Sequence, residues 1–111
     1  MNYKIFLSES FAKRLKKLAK KYPSIKTDYA DLLALLKEKP QLGSPLGNNC
    51  YKVRMKIQSK HQGKSGGARV ITYVLINEDK ITLLDIFDKS DKDSITDKEL
   101  QVLIKKQFNN V

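Results

Sequence analysis

The chain has 111 residues, enough for a single domain over 1–111 with its own hydrophobic core, and 41% of them are hydrophobic. One cysteine and one histidine exclude an internal disulfide and predict no metal site and no metal cofactor. The formal net charge is +10, and residues 1–76 hold 16 Lys/Arg against 4 Asp/Glu, which favours a polyanionic partner such as nucleic acid.

The opening segment predicts a short strand and no export signal. Residues 2–7 alternate in polarity and are rich in Tyr, Ile and Phe, as strands are. No apolar run of signal-peptide length follows a charged leader, and the chain nowhere has 18 apolar residues in succession. We therefore expect a soluble protein that stays in the reducing cytoplasm and has no membrane partner.

Two helices are predicted next. Ser8 or Ser10 can cap the first, which Pro23 ends, and the second runs from about Ser24 to Lys39 before Pro40. The first helix has lysines and an arginine around an apolar stripe formed by Phe11, Leu15, Leu18 and Tyr22. Because only a proline turn separates them, the two helices should form an antiparallel hairpin whose first member is cationic.

A loop and a cationic strand follow. Residues 40–49, PQLGSPLGNN, are turn-forming throughout and predict a loop. Residues 51–58 then alternate, with apolar side chains on one face and Lys52, Arg54 and Lys56 on the other. Side chains two apart on a strand lie about 6.5 to 7 Å apart, close to the phosphate spacing of an extended single strand. This ladder therefore predicts contact with a nucleic-acid backbone, and a solvated sheet face is the alternative.

The remaining strands complete a sheet. A polar, glycine-bearing connection covers 59–67, and the β-rich runs at 68–76 and 81–87 predict two strands joined by a hairpin tip at 78–79. The three successive strands suggest an antiparallel meander with the first strand added beside it. Arg69 directly follows the connection, so it can extend the cationic ladder.

The last helix has the clearest local signal in the chain. Thr96 and Glu99 form a T-x-x-E capping box, and Ile95 and Leu100 are placed as its hydrophobic staple. The element order β-α-α-β-β-β-α, with helices segregated from a mostly antiparallel sheet, belongs to the α+β class.

The connection between the first two meander strands has two interpretations. The sequence GKS at 63–65 is similar to a phosphate-binding P-loop, but Gln58 stands where that motif needs glycine and a strand follows instead of a helix. We therefore expect no nucleotide cofactor, and favour a basic connection that closes over RNA through Lys60 and Lys64. His61 can act as an acid or base near neutral pH, although a solvated side chain is the more common role of a histidine in such a glycine-rich loop.

The acidic residues and the cysteine carry weaker signals. The acids that suit a divalent cation are Asp85, Asp88, Asp91, Asp93 and Asp97. They lack calcium-loop spacing, and strand geometry sends Asp85 and Asp88 to opposite faces, so no metal site is predicted. Cys50 has no conspicuous activating partner in the sequence.

Two stretches, CYKVRMKIQSKHQGKSGGARVITYVL and TLLDIFDKSDKDSITDKEL, resemble the RelE/ParE superfamily of type II toxins, nearest its HigB-like branch. They cover about half of the chain, and the order of elements agrees over the rest. The resemblance implies a RelE-like fold and cleavage of messenger RNA on the ribosome, and it carries the family's basic residues to Lys52, Arg54, Lys56 and Arg69. Lys89 is the matching lysine after the last strand, but Ser90 and Thr96 replace an arginine and a tyrosine of RelE, which leaves the general acid unidentified.

The implied chemistry suits these residue types. RNA supplies its own nucleophile, the 2′-hydroxyl, so cations alone can align it and neutralise the oxyanion without a metal. We expect Arg54 and Arg69 on the scissile phosphate and Lys52 or Lys56 as the base. Phe87 can stack a base, although core packing is the more common role of such a residue.

The sequence has two alternative functional interpretations. One is a ParE-like inhibitor of DNA gyrase, which shares this fold but has no RNA chemistry, and the other is a plain nucleic-acid-binding module. For either toxin, we expect a cognate antitoxin whose acidic or amphipathic segment covers the cationic surface, besides messenger RNA and the ribosome for the nuclease.

Overall fold

The computed structural model describes residues 3–60 and 66–108. The strands are β1 Lys4–Leu7, β2 Ser44–Gly47, β3 Cys50–Met55, β4 Ala68–Leu75 and β5 Lys80–Asp88. The helices are α1 Glu9–Lys21, α2 Ile25–Glu38 and α3 Asp97–Phe108, with a 3₁₀ turn at Ile76–Glu78. Among these residues no helix has the length and apolar character needed to cross a membrane.

The strands form one sheet in the order β1-β5-β4-β3-β2. The meander β3-β4-β5 is antiparallel, as the sequence predicted, and β1 lies parallel to β5 at one edge. The tip of the β4-β5 hairpin falls at Asp79, whose φ of 53° is left-handed. The α+β prediction and the mostly antiparallel sheet are therefore confirmed.

The loop predicted over 40–49 is wrong at its centre. Ser44–Gly47 forms an edge strand that pairs with β3, and two residues, Asn48 and Asn49, join the two strands. Both have positive φ, 53° and 63°, which is the conformation of a tight hairpin turn and which asparagine tolerates. The turn-forming composition was therefore the signal of a hairpin, and Pro45 is tolerated because β2 is an edge strand.

Helices cover both faces of the sheet. The larger core lies under α1 and α2 and includes Phe11, Leu32, Leu36, Val53, Val70, Leu83 and Ile86. The smaller core lies under α3 and contains Cys50, Ile71, Leu84, Phe87 and Leu100. Val70 and Ile71 point to opposite faces of the sheet because side chains alternate along a strand. In β3, Val53 and Met55 belong to the larger core. Lys52 and Arg54 therefore point to the face that α3 covers.

Two helix caps match the sequence prediction. Of the two serines proposed for α1, Ser8 is the cap: its hydroxyl accepts from the Phe11 N–H at 3.0 Å and donates to the Leu84 carbonyl at 2.8 Å. In the capping box of α3, the Thr96 N–H donates to Glu99 at 2.9 Å and the Glu99 N–H donates to Thr96 Oγ1 at 3.1 Å. The hydrogen bond from the Thr96 N–H to the carboxylate, followed by that from the Lys92 ammonium, lowers the pKa of Glu99 to about 2.

Candidate nucleic-acid interface

Arg54 and Arg69 lie side by side on adjacent strands. Arg54 of β3 is directly opposite Arg69 of β4, and Arg69 is directly opposite Phe87 of β5. Lys52, two residues before Arg54, shares their face of the sheet. The structure therefore brings together three of the four cations that the sequence analysis assigned to catalysis.

The fourth cation, Lys56, lies outside this row. The predicted strand over 51–58 ends at Met55, so Lys56 is one residue beyond β3. Its side chain is exposed and lines a shallow cavity together with Arg54 and with Asp31 and Leu35 of α2. Strand pairing therefore covers Lys52 and Arg54, whereas Lys56 follows Arg54 just beyond the end of the strand.

Arg69 and Lys52 both contact the β5-α3 segment, residues 89–96. The Arg69 side chain is only 4% exposed, and its Nε lies 3.4 Å from Asp93 Oδ1. The Lys52 ammonium donates to the backbone carbonyl of Asp93 at 3.4 Å. Arg54 is exposed, and it forms no ion pair with any residue in the ranges 3–60 and 66–108. The cationic row is therefore open at Arg54 and covered at Arg69.

Phe87 is part of the smaller core. Its side chain is 7% exposed and packs with Ile71, Leu84 and Leu100. The Lys92 ammonium lies 4.8 Å from the centre of the ring. Phe87 is therefore a core residue, the role that the sequence analysis favoured over stacking on a base.

Lys60 differs from the loop cation that the sequence analysis expected. Its side chain is 7% exposed, and its ammonium donates to Asp88 Oδ1 at 2.6 Å. The same carboxylate accepts from the Tyr22 hydroxyl at 2.7 Å and from the N–H and hydroxyl of Ser90. Burial by itself would raise the pKa of Asp88, but the hydrogen bonds from Lys60, Tyr22 and Ser90 outweigh it and hold that pKa below its usual range. A buried ammonium needs such a partner, so Lys60 is committed to the protein interior.

The other residues assigned to RNA binding are placed as follows. His61, Lys64 and the GKS sequence lie outside the described residues. Lys89 is half-buried, and its backbone N–H donates to the Gly67 carbonyl at 2.9 Å, where the chain enters β4.

The two positions that depart from RelE have structural roles. The Ser90 hydroxyl donates to Asp88 at 2.8 Å, and the Thr96 hydroxyl accepts from the backbone of α3. Each hydroxyl is therefore hydrogen-bonded within its own segment of the chain.

The remaining titratable candidates are held by the protein. Asp85 pairs with Arg14 at 2.9 Å, but burial outweighs that charge and raises the pKa of Asp85. Cys50 is buried, and desolvation raises the pKa of its thiol to about 11, which suits an unreactive core residue. Over the described ranges, no three His, Cys, Asp or Glu side chains lie together as a metal site would need.

Asp93 is the residue that sequence reasoning missed. The sequence analysis considered it only as a possible metal ligand, whereas the structure places its carboxylate on Arg69. The uneven charge of the chain was the available signal, because residues 77–111 hold 8 Asp/Glu against 6 Lys/Arg. An acidic segment following a cationic sheet is expected to lie against it.

Comparisons with known proteins agree with this architecture. A family model described as the RelE toxin of the RelE / RelB toxin-antitoxin system matches residues 3–109. A double arginine-to-alanine mutant of Escherichia coli toxin RelE, solved in the free state, has a TM-score of 0.63 and 16% identity, covering 96% of this chain and 98% of that chain. A chain of the intact E. coli RelBE toxin-antitoxin complex has a TM-score of 0.58 and 18% identity, covering 76% of this chain and 93% of that chain. No curated protein matches the sequence.

Proposed function

This chain belongs to the RelE family of toxins from toxin-antitoxin systems, and we propose on that premise that it is a messenger-RNA endoribonuclease that acts on the ribosome and inhibits translation. One observation carries the proposal: Arg54 and Arg69 lie directly opposite each other on adjacent strands, with Lys52 beside them. Two arginines at directly opposite positions of adjacent strands can together hold the oxygens of one phosphodiester group.

The proposed reaction needs little beyond this cluster. The 2′-hydroxyl of RNA attacks the adjacent phosphorus, loses its proton, and expels the 5′-oxygen of the next nucleotide, which takes up a proton. Arg54 and Arg69 stabilise the extra negative charge on the phosphorus oxygens in the transition state. Lys52 takes the role of base in preference to Lys56, because only Lys52 lies on the strand beside both arginines.

Mapping of RNA ends in growing cells tests the proposal. After induction of the wild-type chain, we expect translation to stop and messages to acquire new ends at defined positions. Induction of Arg54→Ala should leave the messages intact, and Lys13→Ala on the exposed side of α1 should still produce cut ends.

The rival functions give different results in the same experiment. Continued translation together with DNA double-strand breaks would identify a gyrase inhibitor. Arrested growth with intact messages would identify a binding module and refute the nuclease.

We also propose that an antitoxin with an acidic or amphipathic segment binds the cationic surface. Residues 1–76 carry a large excess of Lys/Arg, which attracts such a segment. The structurally similar E. coli RelE is found in a complex with its antitoxin, which supports a partner of this type.

A further inference from the structure

Asp93 supplies two oxygen atoms to the proposed RNA-binding cations. Its carboxylate lies 3.4 Å from the Nε of Arg69, and its backbone carbonyl accepts a hydrogen bond from the Lys52 ammonium at 3.4 Å. One residue therefore contacts two of the three cations of the row, Arg69 and Lys52, at the same time.

The two partners of this ion pair differ in exposure. The Arg69 side chain is 4% exposed, whereas that of Asp93 is 64% exposed. The Asp93 carboxylate is thus accessible to solvent, whereas the Arg69 guanidinium is nearly inaccessible.

The contact is weak enough to be displaced. An ion pair at 3.4 Å with one mostly exposed partner contributes little net stability and is screened by salt. The neighbouring residue Lys92 holds the segment independently through Glu99 at 2.9 Å and the ring of Phe87. Asp93 can therefore leave Arg69 while the rest of the segment stays in place.

We propose that the Asp93 carboxylate occupies the position of the RNA phosphate at Arg69, that its backbone carbonyl engages Lys52, and that substrate RNA must displace it. The inference rests on the proposed function, because that function places the scissile phosphate at Arg69 and the 2′-hydroxyl at Lys52. A carboxylate and a phosphodiester present similar anionic oxygens to a guanidinium, so the two compete for the same donors. Competition of this kind weakens RNA binding and leaves the chemical step unchanged once Asp93 has moved.

The variant Asp93→Asn tests the proposal against Asp91→Asn. Both substitutions remove one negative charge from the β5-α3 segment, and both positions are exposed, but only Asp93 pairs with Arg69. The probe is a short single-stranded oligonucleotide with the four RNA bases and 2′-deoxyribose at every position, which lacks the 2′-hydroxyl nucleophile and therefore binds without being cleaved. Fluorescence anisotropy at low salt should give a Kd about 2- to 5-fold lower for Asp93→Asn than for Asp91→Asn, and the difference should shrink as salt is raised.

Cleavage kinetics provide the second readout. With cleavable RNA, Asp93→Asn should lower KM by about the same factor and leave kcat unchanged. Equal affinity of the two variants, or weaker binding by Asp93→Asn, would overturn the proposal. A fall in kcat would also overturn it, because Asp93 would then position Arg69 for the reaction.

The experiment separates this inference from the proposed function. If no form of the protein cleaves RNA but Asp93→Asn binds the uncleavable strand more tightly, the nuclease proposal fails and Asp93 remains a competitor of phosphate. If the wild type cleaves RNA and the two variants bind alike, the nuclease proposal stands and the competitor is refuted.

Discussion

Basic residues of the same type lie in different environments in this structure. Arg54 and Arg69 are opposite each other in the sheet, but Arg54 is exposed and Arg69 is covered by Asp93. Lys60, expected beside them at the RNA, is instead buried against Asp88. Three basic residues thus have three environments, and each predicts a different response to mutation.

Removing either arginine should slow the chemical step strongly. We expect Arg54→Ala and Arg69→Ala each to lower cleavage of saturating RNA at least 100-fold, roughly 2.7 kcal/mol of barrier, because each loses a donor to the transition state. Single-turnover cleavage measures this effect. Activity of the wild type should persist in EDTA, since the row of cations repels a divalent ion.

The matched controls for these arginines are three lysines of α1. Lys13→Ala, Lys16→Ala and Lys20→Ala remove exposed charges distant from the row. They should weaken RNA or ribosome association in a salt-dependent manner and leave the rate at saturation intact. If all five variants behave alike under saturation, the row is only a binding surface.

Breaking the Lys60-Asp88 pair should destabilise the fold. Asp88→Asn leaves the Lys60 ammonium buried without its counter-ion, which costs about 3 kcal/mol or more of unfolding free energy. Denaturant titration measures the loss. The double variant Lys60→Met with Asp88→Asn should recover part of it, because no uncompensated charge remains in the interior.

The same pair predicts a pH dependence. The pKa of Asp88 is lower in the folded protein than its ordinary value of 3.8. The stabilisation is therefore complete above that value and declines as pH falls below about 4, towards the folded pKa. The advantage of wild type over Asp88→Asn, measured by denaturant titration, should shrink over that acid range; a constant difference would exclude ionisation of Asp88 as its source.

At the scale of elements, α3 sets the position of the segment that covers Arg69. Leu100 anchors the helix in the smaller core, and the capping box at Thr96 and Glu99 fixes its first turn. Glu99 also pairs with Lys92 at 2.9 Å, which ties the β5-α3 segment to the helix that follows it.

Loss of the helix cap of α3 should measurably lower the free energy of unfolding. Thr96→Ala removes the acceptor of the Glu99 N–H and should lower the free energy of unfolding by about 1 kcal/mol. Thr27→Ala is the control, since Thr27 is an exposed residue of α2 and alanine favours a helix. Equal effects of the two substitutions on the denaturation midpoint would show that the cap contributes nothing.

Charge is distributed unevenly over the whole molecule. Residues 1–76 hold 16 of the 22 Lys/Arg residues, whereas residues 77–111 carry more acids than bases. The acidic part contributes Asp93 to the face that contains Lys52 and Arg69. The chain therefore neutralises a small area of its cationic surface by itself and leaves most of it available to polyanions.

An antitoxin should neutralise much more of that surface. We expect the purified complex with its partner to elute from a cation exchanger at lower salt than the free chain and to bind RNA more weakly, because the partner covers basic side chains. Co-expression of the chain with its partner, followed by purification of the complex, allows both measurements. A partner that changes neither property does not inhibit by covering the cationic face.

Local patterns were sufficient for most elements. The helical spacing of α1, the capping box of α3 and the alternation in β3 each depend on residues close in sequence, so periodicity alone predicted them. The strand β2 was missed because four residues containing a proline and a glycine have almost no strand character of their own. Its pairing with β3 depends on the Asn48-Asn49 turn and on the neighbouring strand.

The sequence by itself determined the cationic excess, the alternation that separates Arg54 from Val53, and the resemblance that led to the family. Only the tertiary structure decided which charges meet. Lys60 and Asp88 are 28 positions apart, and the partner of Arg69 comes from the segment beyond the next strand. Such pairs depend on strand register and helix packing, which bring together groups that no short-range pattern relates. A buried charge is unfavourable unless an opposite charge lies beside it. Lys60 is therefore paired in the interior, while Arg54, which has no such partner among the described residues, is exposed to solvent.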